Sequence, residues 1–242
     1  LKKAKRYIFI EFFILADGYM WNEIHKILKQ KIAEGVEVKV IFDDFGSISR
    51  QYKGFTEKLQ QDGIEVSIFN PIRPSVDIFL NNRNHRKIVV IDGIVSMTGG
   101  INIADEYINK IERFGYWMDC AAIFKGEATR SFVVMFCNIW NCLHPDRRIN
   151  IAKYLTTVSY KAEGYVQPFP DDPLDNNNPA EGLYRSIINS SQKYVHIVSP
   201  YLIVDNTMLQ ELCDAARSGI DIKIITPGTP DKWYVHQIGR AS

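Results

Sequence analysis

What this chain has little of excludes several kinds of protein. Its four cysteines, Cys120, Cys137, Cys142 and Cys213, form no C-x-x-C pair and fall in no Cys/His grouping with zinc spacing. Neither a structural zinc site nor a disulfide framework is indicated, and they read as small buried hydrophobes in a reducing compartment. No apolar run approaches the ~20 residues that a helix needs to cross a bilayer. The longest, Tyr7 to Leu15, contains Glu11. Signal-peptide patterning is absent. So is charge of one sign: 29 Lys and Arg against 28 Asp and Glu leave a net charge of +1, without a basic run. That balance disfavours nucleic acid as a partner, because polyanion binding relies on clustered Lys and Arg. An initiating methionine and a terminating element after Ala241-Ser242 are also missing. The chain therefore reads as a soluble fragment of a longer protein. What is present, 46% hydrophobic and 24% charged residues in 242, is globular composition sufficient for one large domain or two modest ones.

Periodicity predicts a strand over Tyr7 to Leu15, a helix through Trp21, Ile24, Ile27, Leu28 and Ile32 stopped by Gly35, and a strand from Val36 to Phe42. A weak helix over Phe55 to Gln61 and a short strand from Val66 to Phe69 follow. Asn102 with Asp105 three residues on reads as a helix N-cap, predicting a helix over Ile103 to Ile111. Cys120 to Phe124 is strand-like, and Glu127 to Leu143 reads as a long helix. From His144 to Pro179 the chain turns rich in Pro, Asp and Asn and reads as a connection over the surface. Helix, strand, helix and strand then resume over 181–189, 194–198, 207–217 and 221–226. The expected organisation is a first half, 1–143, a connecting segment, 144–179, and the opening of a second half, 180–242.

That second part repeats the first. Lys5-Arg-Tyr-Ile-Phe-Ile10 resembles Gln192-Lys-Tyr-Val-His-Ile197, and Glu34-Gly-Val-Glu-Val-Lys-Val-Ile41 resembles Ser218-Gly-Ile-Asp-Ile-Lys-Ile-Ile225. Gly, branched, acid, branched, Lys, branched, Ile is more specific than one β-α-β unit resembling another, so an internal duplication is expected.

Between the two copies lies Asn84-His-Arg-Lys-Ile-Val-Val-Ile-Asp-Gly93, followed by Thr98-Gly-Gly-Ile-Asn102. Asp92-Gly93 between β-branched runs signals a two-residue hairpin. In that register Lys87 faces Thr98 and His85 faces Gly100. Alternation along the strands then gathers His85, Lys87 and Asn102 on one face. The groups suit a phosphate ester. Lys87 offers a point charge with three donors, Asn102 two more, and Gly100 leaves room for an oxyanion. His85 can act as nucleophile or proton carrier. Of the five histidines, His85 alone has Lys at +2, Asp at +7 and Gly-Gly-x-Asn from +14. Asp92 by itself is also a good turn residue, and Gly99-Gly100 reads equally as a bulge.

His85-x-Lys87-x4-Asp92-x6-Gly99-Gly100-x-Asn102 matches the H-x-K-x4-D-x6-G-[GS]-x-N signature of the phospholipase D superfamily. The flanking residues, with Ile10-Glu-Phe-Phe-Ile-Leu-Ala-Asp-Gly18, Trp21-Asn22 and Ser199-Pro-Tyr-Leu202, resemble the bacterial cardiolipin synthases. The resemblance implies an α/β fold, a phospholipase D-like α/β/α sandwich with a mixed sheet. One half is complete here and a duplicated second half is begun. It also implies a phosphatidyltransferase that passes a phosphatidyl group between two phosphatidylglycerol molecules and releases glycerol through a phosphohistidine. No metal or organic cofactor is implied. His85, Lys87 and Asp92 take the motif's catalytic places, Asn102 and Gly100 its substrate-binding places, and Asp119 the place of a carboxylate that orients a histidine. Met118 stands where the resemblance leads one to expect arginine. Which histidine attacks is left open. The implied partners are phosphatidylglycerol and other anionic phospholipids, with the parent protein anchored in a bacterial cell membrane by N-terminal helices and this piece on the cytoplasmic side. The alternatives are a soluble phosphodiesterase or nuclease of the same superfamily, or a catalytically inert half-site. On the last reading the piece alone has little activity unless two copies form a homodimer that brings their His85 residues together.

Overall fold

The computed structural model describes residues 1–72, 82–171 and 179–229. The chain divides into two compact units, Leu1–Pro170 and Asp171–Ser242. In the first, β1 (Tyr7–Phe12), β2 (Glu37–Asp43), β3 (Glu65–Phe69), β4 (Ile88–Ile91), β5 (Val95–Gly99) and β6 (Ala121–Lys125) form one sheet in the order β3-β2-β1-β4-β5-β6. β1, β2 and β3 run parallel, and the β1–β4, β4–β5 and β5–β6 pairs are antiparallel. The helices of this unit are α1 (Tyr19–Ala33), the single turn α2 (Asp44–Ser47), α3 (Phe55–Gln61) and α4 (Ala128–Leu143).

The central strand β1 is buried along its whole length, so both faces must be covered. Ile8, Ile10 and Phe12 pack with Trp21 and Leu28 of α1 and Phe55 and Leu59 of α3. Tyr7 and Phe9 point the other way, toward Phe132, Val133, Phe136 and Trp140 of α4. Phe9 stacks on Phe136 with ring centroids 4.3 Å apart. The result is the expected α/β/α sandwich around a mixed sheet. Part of the expected connection joins this core: Tyr154 is buried against Tyr7 and Phe9, and its carbonyl accepts from the Tyr7 hydroxyl at 2.6 Å. Asp172 to Asn178, in the Pro/Asn-rich middle of that connection, lie outside the described residues.

Two local expectations fail for tertiary reasons. The predicted helix over 103–111 is a single 3₁₀ turn, Asp105–Ile108, and neither polar residue caps it. The Asn102 side chain accepts instead from Ile14 N at 3.0 Å. The Asp105 carboxylate accepts from Tyr19 N and Met20 N, both at 2.8 Å, and so caps α1 from a distance in sequence. Gly18 precedes α1 because a Cβ there would lie 2.8 Å from that carboxylate.

The hairpin is also one residue out of the expected register. Asp92 and Gly93 do adopt left-handed backbone (φ 56° and 68°), and Ile94 N reaches Ile91 O at 3.0 Å, as a type I′ turn requires. The strands then pair Ile88 with Thr98 and Ile91 with Val95, which leaves Ile94 as an extra residue. Its carbonyl is diverted to Gly126 N, 3.1 Å away just before α4. Thr98 consequently shares a face with Ile88 and not with Lys87.

In the second unit, α5 (Pro179–Ser190) and α6 (Asn206–Arg217) accompany a parallel pair, β7 (Tyr194–Val198) and β8 (Asp221–Ile225). Asp205 caps α6 by accepting from Met208 N, and Arg185 of α5 bonds Glu211 of α6 at 2.9 Å. Tyr7 pairs with Glu37 in the first unit and Tyr194 with Asp221 in the second, so the repeated sequences fold in one register. Gly35 and Gly219 end the intervening helices with the same positive φ, 86° and 92°.

Candidate active site

Residues 82–87 carry no regular structure, yet side chains still alternate through them. Asn84 and Arg86 reach the buried Glu11 on the α4 face of β1. His85 and Lys87 turn to the opposite side, around Phe13, which follows β1. The His85 ring lies 4.8 Å from the Phe13 ring and the Lys87 ammonium 5.6 Å from it. Polar anchors fix the segment: Asn84 N donates to Asp43 Oδ2 at 3.0 Å, and Asn84 Oδ1 accepts from Arg86 N at 3.1 Å.

Lys87 is 6% exposed while His85 is exposed. The ammonium donates to the His85 carbonyl at 2.6 Å. Among the described residues no carboxylate lies within ion-pair distance of it. Burial therefore lowers its pKa to about 7, against a partial opposing pull from the Asp119 charge. Of three ammonium N–H groups, one is committed.

Asn102 and Asp119 sit in an aromatic cluster of their own. Asn102 is 3% exposed and donates to the Tyr107 hydroxyl at 2.8 Å. Tyr107 meets Trp117 edge-on at 4.5 Å, and Trp117 is clamped through its backbone by the Asn109 amide at 2.6 and 2.9 Å. The indole N–H donates to Asp119 Oδ2 at 3.2 Å, while Asp119 Oδ1 accepts from Cys120 N at 2.7 Å. The space at Gly100 is taken by that carboxylate: a Cβ there would lie 2.3 Å from Asp119 Oδ1. Gly100 thus makes room for Asp119 where an oxyanion was expected, and Met118 beside it is exposed. A cavity of about 360 Å³ lies on the α4 side of the sheet, lined by Arg86, Ile88, Thr98, Phe124, Phe132 and Met135 and reached by parts of His85 and Lys87, whose ring and ammonium turn away from it toward Phe13. Asn102 does not line it. Among the described residues no three His, Cys, Asp or Glu side chains are grouped as a metal ion would need.

Asp92 is not brought to this place. Four strand residues, about 13 Å of rise, separate it from Ile88. Its carboxylate accepts from three consecutive backbone amides, Lys5 N, Arg6 N and Tyr7 N, at 2.9, 2.7 and 2.9 Å. It staples the start of β1 to the hairpin turn. Asp92→Ala should cost about 3 kcal/mol by stranding these donors, read as a lower urea midpoint, and should reduce activity only as far as it unfolds the protein. A folded Asp92→Ala protein without activity would contradict this.

Sequence reasoning missed Glu11, Asn84, Arg86 and Asp43 as supports, Phe13 as the ring beside His85 and Lys87, and Tyr107 and Trp117 as the rings beside Asn102. The one legible signal was Glu11, an acid inside an apolar strand.

The family model described as cardiolipin synthase, PLD-like domain matches residues 1–119 and 184–242. An uncharacterized protein of Streptococcus mutans is 47% identical over 234 residues, 96% of this chain and 50% of that protein. The cardiolipin synthase of Alkalihalophilus pseudofirmus is 37% identical over 243 residues, 100% of this chain and 48% of its own length. The chain thus spans about half the length of the curated relatives it matches. Among solved structures, phosphatidylserine synthase of Haemophilus influenzae Rd KW20 superposes with a TM-score of 0.64 over 93% of this chain and 57% of its own, at 18% identity, a likeness of fold. With a family model matched on both sides of the connection and synthase relatives aligned along the whole length, the chain belongs to the cardiolipin synthase family of PLD-like domains.

Proposed function

We propose that this chain supplies half of a phosphatidyltransferase site that makes cardiolipin from two phosphatidylglycerol molecules. The carrying observation is the Lys87 ammonium: nearly buried, without a carboxylate partner among the described residues, and beside an exposed imidazole. A buried cation in that state is stabilised by an incoming anion, and a phosphodiester brings one to the ring that must react with it.

The chemistry follows from phosphoryl transfer. One imidazole nitrogen attacks phosphorus, the bond from phosphorus to the glycerol headgroup oxygen breaks, and a second imidazolium gives that oxygen its proton. The hydroxyl of another phosphatidylglycerol then attacks the phosphohistidine. It loses its proton to the imidazole that acted as acid, and cardiolipin leaves. His85 fills one of the two imidazole roles. Its counterpart comes from a second copy of the motif, in the same polypeptide or in a paired chain. Lys87 neutralises the charge that builds on the non-bridging oxygens. The reaction takes place at the surface of the bacterial cell membrane that holds the substrate. Among the described residues no helix is long and apolar enough to cross that membrane.

Product analysis tests the reading. The full-length protein given phosphatidylglycerol should yield cardiolipin and glycerol in equal amounts. Phosphatidic acid as the sole lipid product would make it a hydrolase, and cleavage of DNA in place of lipid would favour a nuclease.

A further inference from the structure

The Glu11 carboxylate is fully buried in the middle of the sheet, where it pairs across to Ile88. Burying a carboxylate in a strand that is otherwise apolar is costly, and burial pushes its pKa up. Its Oε1 accepts from Asn84 Nδ2 at 2.7 Å and pairs with Arg86 Nε at 2.9 Å, while Oε2 has no hydrogen-bond partner among the described residues. An apolar side chain would avoid this cost. The two groups that Glu11 does hold are the residues on either side of His85. Asn84 is tied further, through its backbone N–H to Asp43 Oδ2 at 3.0 Å and through its Oδ1 to Arg86 N at 3.1 Å. Among the described residues the segment pairs with no strand.

We infer that Glu11 is a positioning residue for His85, acting through Asn84 and Arg86 to fix the backbone from which the imidazole projects toward Phe13. The inference rests on the reading of His85 as a reacting group, and deepens it. Glu11 touches neither the imidazole nor the substrate side of the segment. Its effect is on where the ring stands, and a ring misplaced by an ångström loses on the order of 10²-fold in rate.

Two variants test it in the full-length protein, with His85→Asn as reference. Glu11→Gln removes the charge and keeps an acceptor for Asn84. Asn84→Ala cuts the link and leaves the Glu11–Arg86 pair, so it decides the matter if Glu11→Gln does not fold. Each is expected to lower kcat by about 10- to 100-fold with KM changed by less than about twofold. The double variant should be no worse than the poorer single one, as members of one unit are non-additive. In ¹H–¹⁵N spectra of the ring nitrogens, His85 should shift or broaden in both variants while His25 and His196 stay in place. Unmoved His85 signals in a folded variant, or an effect confined to KM, would overturn the inference. If His85→Asn retains activity, the functional reading fails alone. The His85 spectral change would still support the positioning role.

Discussion

Lys87→Met is expected to make the protein more stable and less active. The ammonium titrates at about 7 in the folded chain, well below the usual lysine value of 10.5. Between those two pH values the unfolded chain holds a proton that the native one has released. Native stability therefore rises with pH across the window, and below about pH 7 the penalty is present in full. Methionine fills similar volume without the charge. At pH 6, without phosphate, the melting temperature of Lys87→Met should exceed that of the parent by about 5 °C or more, with the gain shrinking toward pH 10. Transfer activity should fall by about 10²- to 10³-fold, the cost of losing one charged donor at the reacting phosphoryl group. A melting temperature that is unchanged or lower at pH 6 would mean that Lys87 already has its counter-ion in the folded chain.

His85→Asn should abolish cardiolipin formation, by more than about 10³-fold in kcat, with circular dichroism and melting temperature near the parent. The side chain is exposed. Truncation therefore removes little packing. Lipid chromatography showing undiminished product would remove His85 from the chemistry. Stability loss equal to the activity loss would make it structural.

The layers and most elements were legible because each has its own periodicity: β1 as an apolar run, α1 and α4 as apolar stripes ended by glycine or a polar turn, and the repeated Gly35 and Gly219 segments. What failed depended on distant partners. Asn102 with Asp105 reads as the cap of a helix from Ile103, but the helix that Asp105 caps is α1, which begins 86 residues earlier. Asp92-Gly93 forms the turn its sequence calls for, yet Ile94 is drawn to Gly126 and the register slips by one. His85 and Lys87 still share a side, because the alternation that places them runs through their own segment and not across the hairpin. Asn102 is held by Ile14 and Tyr107 and lies opposite neither residue in the hairpin. Gly100 was read as space for a ligand, and the space belongs to Asp119. Glu11 was visible as an oddity whose partners only the folded chain supplies.

In the proposed reaction the Lys87 ammonium receives a phosphate ester beside His85. Isothermal titration with glycerol phosphate at pH 8, run in two buffers of different ionisation enthalpy, measures this without requiring turnover. Binding should be accompanied by uptake of nearly one proton per anion as Lys87 regains its charge, and both should vanish in Lys87→Met. Binding with no proton uptake, or binding equally strong in the variant, would contradict the claim.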